Sequence, residues 1–243
     1  MNDESFVLYK FRAINKHLIE SLASQSLYFA RPDALNDPFD CRIDPRGPIK
    51  QAESSATGDR KNLLSSFLSN PVFFENWQST FDNLGVCCFS RDASRGNRDT
   101  LLWSHYADAH RGVCLKYEFR ASYFLSEEFH LTMMGNVEYL AEPVTEWLKN
   151  SPTDMTKFVQ GLAHACAKSK SPAWAYEKEA RIFRPPGVFS FSEQFLNQIC
   201  FGLRTPAADI ELITNLARTY AGCTRFRHMV RDETEFGFTE KEL

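Results

Sequence analysis

The chain has 243 residues, a formal net charge of −3 and a hydrophobic content of 43%. These values exclude a disordered chain, and they argue against a protein that binds nucleic acid through its overall charge. No apolar run reaches the roughly 20 residues that span a bilayer, and the N-terminus has no basic segment followed by an apolar one. We therefore expect a cytoplasmic globular protein with no membrane partner.

Seven cysteines are spaced irregularly and stand mostly beside apolar residues, as in GVCCFS and GVCLKY. An odd number of cysteines without a CxxC pair suits neither a disulfide framework nor a cysteine-based zinc site. We predict that all seven are reduced, and we assign no metal site.

The first sixty residues predict two strands, one helix and two loops. Residues 6–12 alternate like a strand, Asn15 is placed to cap a following helix, and residues 26–31 predict a second strand. Residues 32–40 have the composition of a loop. Residues 45–60 are rich in Gly, Pro and Ser, and they predict a surface loop or a poorly ordered insert.

The remainder of the chain alternates strands and helices without a regular βαβ pattern. Helices are predicted over 61–83 (with Pro71 starting a second helix after an Asn70 cap), over 100–110 with a Thr100 cap, from about 152 onward and over 206–221. Strands are predicted at 85–90, 112–119, 136–140, 175–184, 197–203 and 224–232. This order predicts a single α+β domain over residues 1–243, with a mixed or antiparallel sheet flanked by helices.

The loop LNDPFD concentrates three polar side chains, namely Asn36, Asp37 and Asp40. Together they could bind a metal, a ribose or a base. The alternative is turn chemistry, in which Asn and Asp side chains cap backbone amides and Pro38 fixes the bend.

The stretch LLWSHYADAHRGVCLKY carries two histidines, His105 and His110. Five residues separate them by about 500° on a helix, so their side chains diverge by about 140° and cannot share a metal. We place His110 at the C-terminus of the helix, where an imidazole favours the dipole and can cap carbonyl groups. His105 could line a pocket with Trp103 and Tyr106, or it could be a semi-buried histidine among aromatic rings.

The stretch WAYEKEARIFR would place Glu177, Glu179 and Arg181 on one face of a strand. Burying two carboxylates and a guanidinium costs free energy unless they are paired. An exposed edge strand whose charges suppress aggregation is the alternative.

Several motifs occur in the order that is typical of a widespread bacterial family of unknown function. They are an NDPF-type loop, a CFS-like strand, a W-x-HYA-x-x-H-x-G-x-C block and a W-x-x-E-x-E-x-R block. The resemblance covers roughly residues 8–184. It implies that the chain shares the family-defining residues, which are Asn36, Asp37, His105, His110, Glu177, Glu179 and Arg181.

The order of the early strands and helix, with a late strand bearing EKE, is also similar to ADP-ribosyltransferase-like toxins. This resemblance implies that Tyr9, Lys10 or Arg12 holds the pyrophosphate or ribose of NAD, and that Tyr28 stacks on the nicotinamide. It implies a catalytic role for Glu179 or Glu177. The chain lacks an H-G-T-like or R-S-E-x-E motif.

We therefore expect an ADP-ribosyltransferase-like site for NAD or a related nucleotide, with a role in phage defence or a toxin system and with nucleic acid as one candidate acceptor. Candidate catalytic residues are Glu179, Glu177 and His105. Candidate ligand-binding residues are Tyr9, Lys10, Arg12, Tyr28, Asn36, Asp37, Trp103, Tyr106, His110 and Arg181. The oligomeric state stays open.

Two other functions fit the same residues. A Mg²⁺-dependent nuclease would cluster carboxylates at one point, namely those of Asp37, Asp40, Glu177 and Glu179, with Lys178 as the basic residue. A binding module without catalysis would use a cleft formed by His105, Trp103 and Tyr106. In each case we predict that the NDPFD loop, the HYADAH block and the EKE segment meet in one cleft.

Overall fold

The computed structural model describes residues 4–91, 99–127, 129, 133–234 and 237–243. Eight strands of these residues form one sheet in the order β10-β9-β8-β4-β1-β3-β6-β5. They are β1 Ser5–Arg12, β3 Gly85–Ser90, β4 Val113–Arg120, β5 Met133–Asn136, β6 Glu179–Arg184, β8 Leu196–Phe201, β9 Phe226–Arg231 and β10 Phe238–Glu242. Neighbouring strands are antiparallel except β8 and β9, which are parallel. The predicted α+β class with a mixed sheet is therefore confirmed.

A second, two-stranded antiparallel sheet pairs β2 Ser26–Phe29 with β7 Gly187–Ser190. Helices surround the two sheets. They are α1 Lys16–Ala23, α2 Arg46–Ser55, α3 Gly58–Leu68, α4 Pro71–Trp77, α5 Thr100–Tyr106, α6 Ala121–Phe124, α7 Pro143–Lys149, α8 Met155–Lys168 and α9 Ala207–Tyr220. In the described part of the chain, no helix is long and apolar enough to cross a lipid bilayer.

Side-chain caps fix the helix starts largely where the sequence predicts them. Asn15 accepts a hydrogen bond from the backbone N–H of Leu18 at 3.1 Å, and Asn70 accepts one from Phe73 at 3.2 Å. The predicted Thr100 cap is wrong by one residue. Asp99 caps α5 instead, because its carboxylate accepts from two backbone N–H groups of the first turn.

The prediction of a loop over residues 45–60 is wrong. Helix α2 occupies most of this segment, and α3 begins at Gly58. Ile49 and Ala52 lie on one face of α2 and are completely or almost completely buried. Gly47 and Pro48 fall in the first turn, where a proline costs no helical hydrogen bond, so the loop-like composition did not prevent a helix.

The predicted strand at 136–140 lies further upstream, as β5, and beyond it Glu138 forms only an isolated bridge with Ser169. The predicted loop at 91–99 falls mostly outside the described residues. None of the seven cysteines, all of which are described, is in a disulfide, and six are buried.

The sheet is divided near its middle. All eight residues of β1 pair with β4, but Tyr9↔Ser90 is the one register pair of β1 with β3 among the described residues. Beyond this pair the two strands separate, and β3 bridges to Ala30 through Val86 instead. The division leaves room for a cleft between the two halves of the sheet.

A cleft at the divided sheet

A cleft of about 850 Å³ opens beside the separated strands β1 and β3. This volume lies in the range of small-molecule and cofactor sites. Eight of the sequence-predicted site residues line the cleft: Tyr9, Lys10, Arg12, Tyr28, Asn36, Tyr106, Glu177 and Glu179. Asp40 and Lys170 also line it.

Three carboxylates converge on one ammonium group at the inner end of the cleft. The Nζ atom of Lys170 lies 2.6 Å from Glu177, 3.3 Å from Glu179 and 3.5 Å from Asp40. All four side chains are at most 7% exposed. We call these four residues together with Arg181 the acid end of the cleft.

Arg181 forms the base of the acid end and is fully buried. Its guanidinium holds Glu179 through two hydrogen bonds of 2.8 and 3.0 Å, and it donates to Asp40 at 2.8 Å. A further bond reaches the carbonyl of Ala167 at 2.9 Å. Such bidentate, charge-assisted contacts offset the cost of burying the guanidinium. Strand β6 is paired on both sides, so the alternative of an exposed edge strand is wrong.

The two glutamates of the EKE segment differ in proton affinity. Burial raises the pKa of Glu177, and the bonds from Lys170 and Tyr106 offset this only in part. Burial acts in the same direction on Glu179, but the adjacent Arg181 outweighs it and lowers the pKa of Glu179 to about 2. Glu179 is therefore a fixed anion, whereas Glu177 is the carboxyl that takes up a proton more readily.

Local backbone geometry separates these two glutamates. Glu177 ends the 3₁₀ helix Pro172–Glu177, and β6 begins at Glu179. Lys178 between them adopts the left-handed conformation, with φ 45° and ψ 50°. The prediction that both glutamates lie on one strand is therefore wrong in detail, although the two side chains still meet at Lys170.

Tyr106 connects the HYADAH block to the acid end. Its hydroxyl donates a short hydrogen bond to Glu177. Burial, followed by the bond to Glu177, raises the pKa of Tyr106, so the phenol keeps its proton. The NDPFD loop reaches the same place through Asp40, which confirms that the three segments meet in one cleft.

Strand β1 supplies a further cation, Lys10, to the lining of the cleft. The Nζ atom of Lys10 donates to the carbonyl of Cys88 at 2.8 Å and lies 3.4 Å from the sulfur of Cys87 and 5.0 Å from the ring centre of Phe89. These contacts hold the positive charge of Lys10 at the wall of the cleft. Arg12, two residues along β1, lines the same cleft.

Five predicted site residues do not line the cleft. They are Asp37, Trp103, His105, His110 and Arg181. Asp37 caps the backbone N–H of Phe39 at 2.9 Å, which is the turn chemistry considered for this loop. Trp103 is fully buried in a separate cluster, so the binding cleft expected from His105, Trp103 and Tyr106 does not form.

The two histidines contact residues around α5 and do not line the cleft. The Nδ1 atom of His105 lies 3.1 Å from the Tyr176 hydroxyl, which is outside the cleft. His110 lies four residues beyond the end of α5, and its backbone N–H, rather than its imidazole, bonds the carbonyl of Trp103 at 3.2 Å. The His110 ring stacks on the Trp103 indole with centroids 6.3 Å apart.

The carboxylates surround two cations instead of an open centre, because Lys170 and Arg181 lie between them. Asp37, one of the four carboxylates expected for a nuclease, does not line the cleft. In the described part of the chain, no group of three or more His, Cys, Asp or Glu residues has the geometry of a metal site. Three of the four expected carboxylates therefore do converge, but they meet around Lys170 and Arg181 and not around an open metal position.

Lys170 is the residue that sequence reasoning missed. It lies in the segment SKSP, which has no motif and follows the end of α8. Its place is revealed only by its contacts with Glu177 and Glu179, which follow it in the chain, and with the distant Asp40. One local signal pointed to such a residue. Two neighbouring buried glutamates need two cations, and Arg181 is only one.

The segment from α5 to β6 contributes most of the acid end. Residues 102–182 match a family model described as "Protein of unknown function (DUF2971)". This DUF2971 segment carries Tyr106, Lys170, Glu177, Glu179 and Arg181, whereas Asp40 and β1 lie outside it. The match supports the expected resemblance to a family of unknown function in this segment. Searches of curated proteins and of solved structures found no match.

Proposed function

We propose that this protein is an enzyme that binds a nucleotide such as NAD in the cleft and acts on its glycosidic bond. The supporting observation is the difference between Glu177 and Glu179, two carboxyl groups on one cleft with opposite shifts in pKa. Such pairs typically divide acid–base and electrostatic roles. Cleavage of a glycosidic bond passes through an oxocarbenium-like state, which the negative charge of the acid end would stabilise, while Glu177 takes the proton of the attacking water or acceptor hydroxyl.

The walls of the cleft suit the two ends of such a ligand. Lys10 and Arg12 offer cations for phosphate groups, because side chains two residues apart on a strand share one face. Tyr28 is 55% exposed and lines the cleft, where its ring can stack on a base. The three carboxylates of the acid end outnumber its two cations, which favours a positively charged group such as a nicotinamide ring.

In this proposal Glu177 is the catalytic residue. Glu179 and Arg181 form the frame that holds it, because both oxygens of Glu179 are engaged by cations. His105 has no catalytic role, since it contacts Tyr176 outside the cleft.

Thermal stabilisation and turnover test the proposal together. We expect NAD or ADP-ribose to raise the melting temperature, because a ligand at 100 times its Kd adds about 2.7 kcal/mol to the free energy of unfolding. Glu177→Gln should lower NAD cleavage or transfer by about a hundredfold or more, with little change in melting temperature. Glu193→Gln is the matched control, because Glu193 pairs with Arg120 at the surface.

Turnover is measured with water alone and with an oligonucleotide as acceptor, which separates hydrolysis from transfer to nucleic acid. Stabilisation by NAD without turnover would overturn the proposed enzymatic activity and would favour a binding module. Stabilisation by Mg²⁺ and cleavage of the oligonucleotide, with no effect of NAD, would overturn the proposal in favour of a nuclease.

A further inference from the structure

We infer that Lys170 is a positioning residue that holds Glu177 toward the cleft and keeps a fixed positive charge beside it, with Tyr106 acting from the other oxygen. This inference rests on the proposed function, because it assigns roles to residues around the proposed catalytic carboxyl. Nothing in the family match assigns a role to either residue.

The geometry makes Lys170 a fixed cation rather than a mobile side chain. Its ammonium has three carboxylate acceptors, and the nearest, at 2.6 Å, is Glu177. The other two, Glu179 and Asp40, are themselves held by Arg181 at 2.8 Å each. The Trp174 ring, 4.9 Å away, covers a further side of the ammonium. Lys170 therefore stays in place when Glu177 changes its protonation or its contacts.

The two oxygens of Glu177 have different neighbours. Lys170 bonds Oε2, and the Tyr106 hydroxyl bonds Oε1, so the carboxyl plane is fixed from both sides. The Glu177 carboxylate lies beside the Lys170 ammonium and the Tyr106 hydroxyl, and both stabilise its charge until it takes the proton of the attacking water or acceptor hydroxyl. When Glu177 takes a proton, Lys170 keeps its two other acceptors and no buried cation is left unpaired.

Other groups also influence the proton on Glu177. The titratable or charged groups that face it are Lys170, Tyr106, Glu179, Tyr176 and Tyr139. Burial raises the pKa of Glu177, while Lys170 and Tyr106 oppose that rise. Removing either group should therefore raise the pKa of Glu177 further. A residue with a purely structural role would not shift this titration.

The test is a pH titration of the Glu177 carboxyl carbon by NMR in protein labelled with ¹³C-glutamate, with the signal assigned by its loss in Glu177→Gln. In Lys170→Met we expect the midpoint to rise by about one pH unit or more, because an opposite charge within 4–6 Å is removed. Tyr106→Phe should raise it by a smaller amount. Lys168→Met is the matched control, because Lys168 lies outside the cleft, 3.9 Å from Glu138.

The titration needs neither ligand nor turnover, so it can fail while NAD cleavage succeeds, or the reverse. A midpoint that stays the same or falls in folded Lys170→Met would overturn the inference. Should that variant fail to fold, Lys170→Gln supplies the same test, because glutamine removes the charge but can still donate a hydrogen bond. An upward shift in Lys170→Gln supports the inference, and an unchanged midpoint overturns it.

Discussion

The acid end of the cleft and the turn after α5 are both rich in polar residues, and apart from Asp40 the acid end lies in the DUF2971 segment, as does the turn. In the turn, polar groups bond one another and the backbone. Asp108 pairs with Arg111 at 2.9 Å, and the carbonyl of His110 accepts from Arg204 at 2.9 Å. At the acid end, charged side chains from three separate segments of the chain meet beside a cavity. Two of their carboxyl groups, those of Glu177 and Glu179, differ in proton affinity. The density of polar residues therefore does not separate the two regions, whereas buried carboxyl groups that line a cleft are found at the acid end and not in the turn.

The largest stability effect in this comparison should come from Glu179→Gln. We expect a loss on the order of 3 kcal/mol in the free energy of unfolding at neutral pH, because buried Arg181 loses one of its two anionic partners and keeps only Asp40. Because the folded-state pKa of Glu179 is lowered to about 2, its stabilisation is present above the ordinary glutamate pKa. It is lost as the pH falls toward 2, so the difference between variant and parent should shrink there.

Urea denaturation at several pH values between 7 and 2 measures this effect. Glu193→Gln is again the control, and its partly exposed pair should contribute less than about 1 kcal/mol. If Glu179→Gln is as stable as this control, Glu179 does not help to hold Arg181 in place. It would then again be a candidate for the catalytic residue.

In the turn after α5, we expect an intermediate loss of stability from Gly202→Ala. The added Cβ would lie 2.3 Å from the carbonyl oxygen of His110 and 3.0 Å from the Trp103 ring. Overpacking of this kind costs about 1–3 kcal/mol, so the melting temperature should fall. Gly47→Ala is the control, because no atom lies within 4 Å of its added Cβ.

The binding of NAD should survive Gly202→Ala if the turn serves only the fold. Thermal stabilisation by NAD, measured as the shift relative to each unliganded variant, reports this directly. A Gly202→Ala protein that melts at a lower temperature and is no longer stabilised by NAD would contradict this separation of the two regions. The turn would then support the cleft.

The smallest effect, and one of opposite sign, is expected from Ala109→Gly. Asp108, Ala109 and His110 all have positive φ, and Ala109 has φ 50°. A left-handed conformation costs an L-residue about 1 kcal/mol, which glycine avoids. We expect Ala109→Gly to stabilise the protein by up to about 1 kcal/mol, whereas Ala163→Gly in the middle of α8 should destabilise it by a similar amount. A loss of stability in Ala109→Gly would show that the methyl group is needed for packing.

Much of the fold follows from local sequence signals. The caps at Asn15 and Asn70 and the periodic segments around them predict elements that the structure contains. The helix over Arg46–Ser55 was missed because only two apolar residues, Ile49 and Ala52, form its buried face. Strands β7 and β10 were missed because their short, mixed sequences become strands only through pairing with distant partners.

The candidate site was predictable as a set of segments but not as a set of contacts. The sequence predicts that the NDPFD, HYADAH and EKE segments meet, and Asp40 and Tyr106 make that meeting. It could not predict Lys170, because a single lysine in a loop belongs to no periodic pattern. One of its partners, Asp40, is also far away in the chain. The different surroundings of Glu177 and Glu179 go with the left-handed conformation of Lys178 between them, which a strand pattern does not reveal.

The separation of β1 and β3 after the Tyr9↔Ser90 pair has an evolutionary consequence. The cleft exists because two strands diverge, so its presence depends on the course of the backbone and not on the identity of the side chains that line it. Substitutions at Arg12, Tyr28 or Asn36 can therefore change what enters without closing the cleft. A divided sheet of this kind can carry different side chains on the wall of its cleft while the buried frame around Arg181 stays the same.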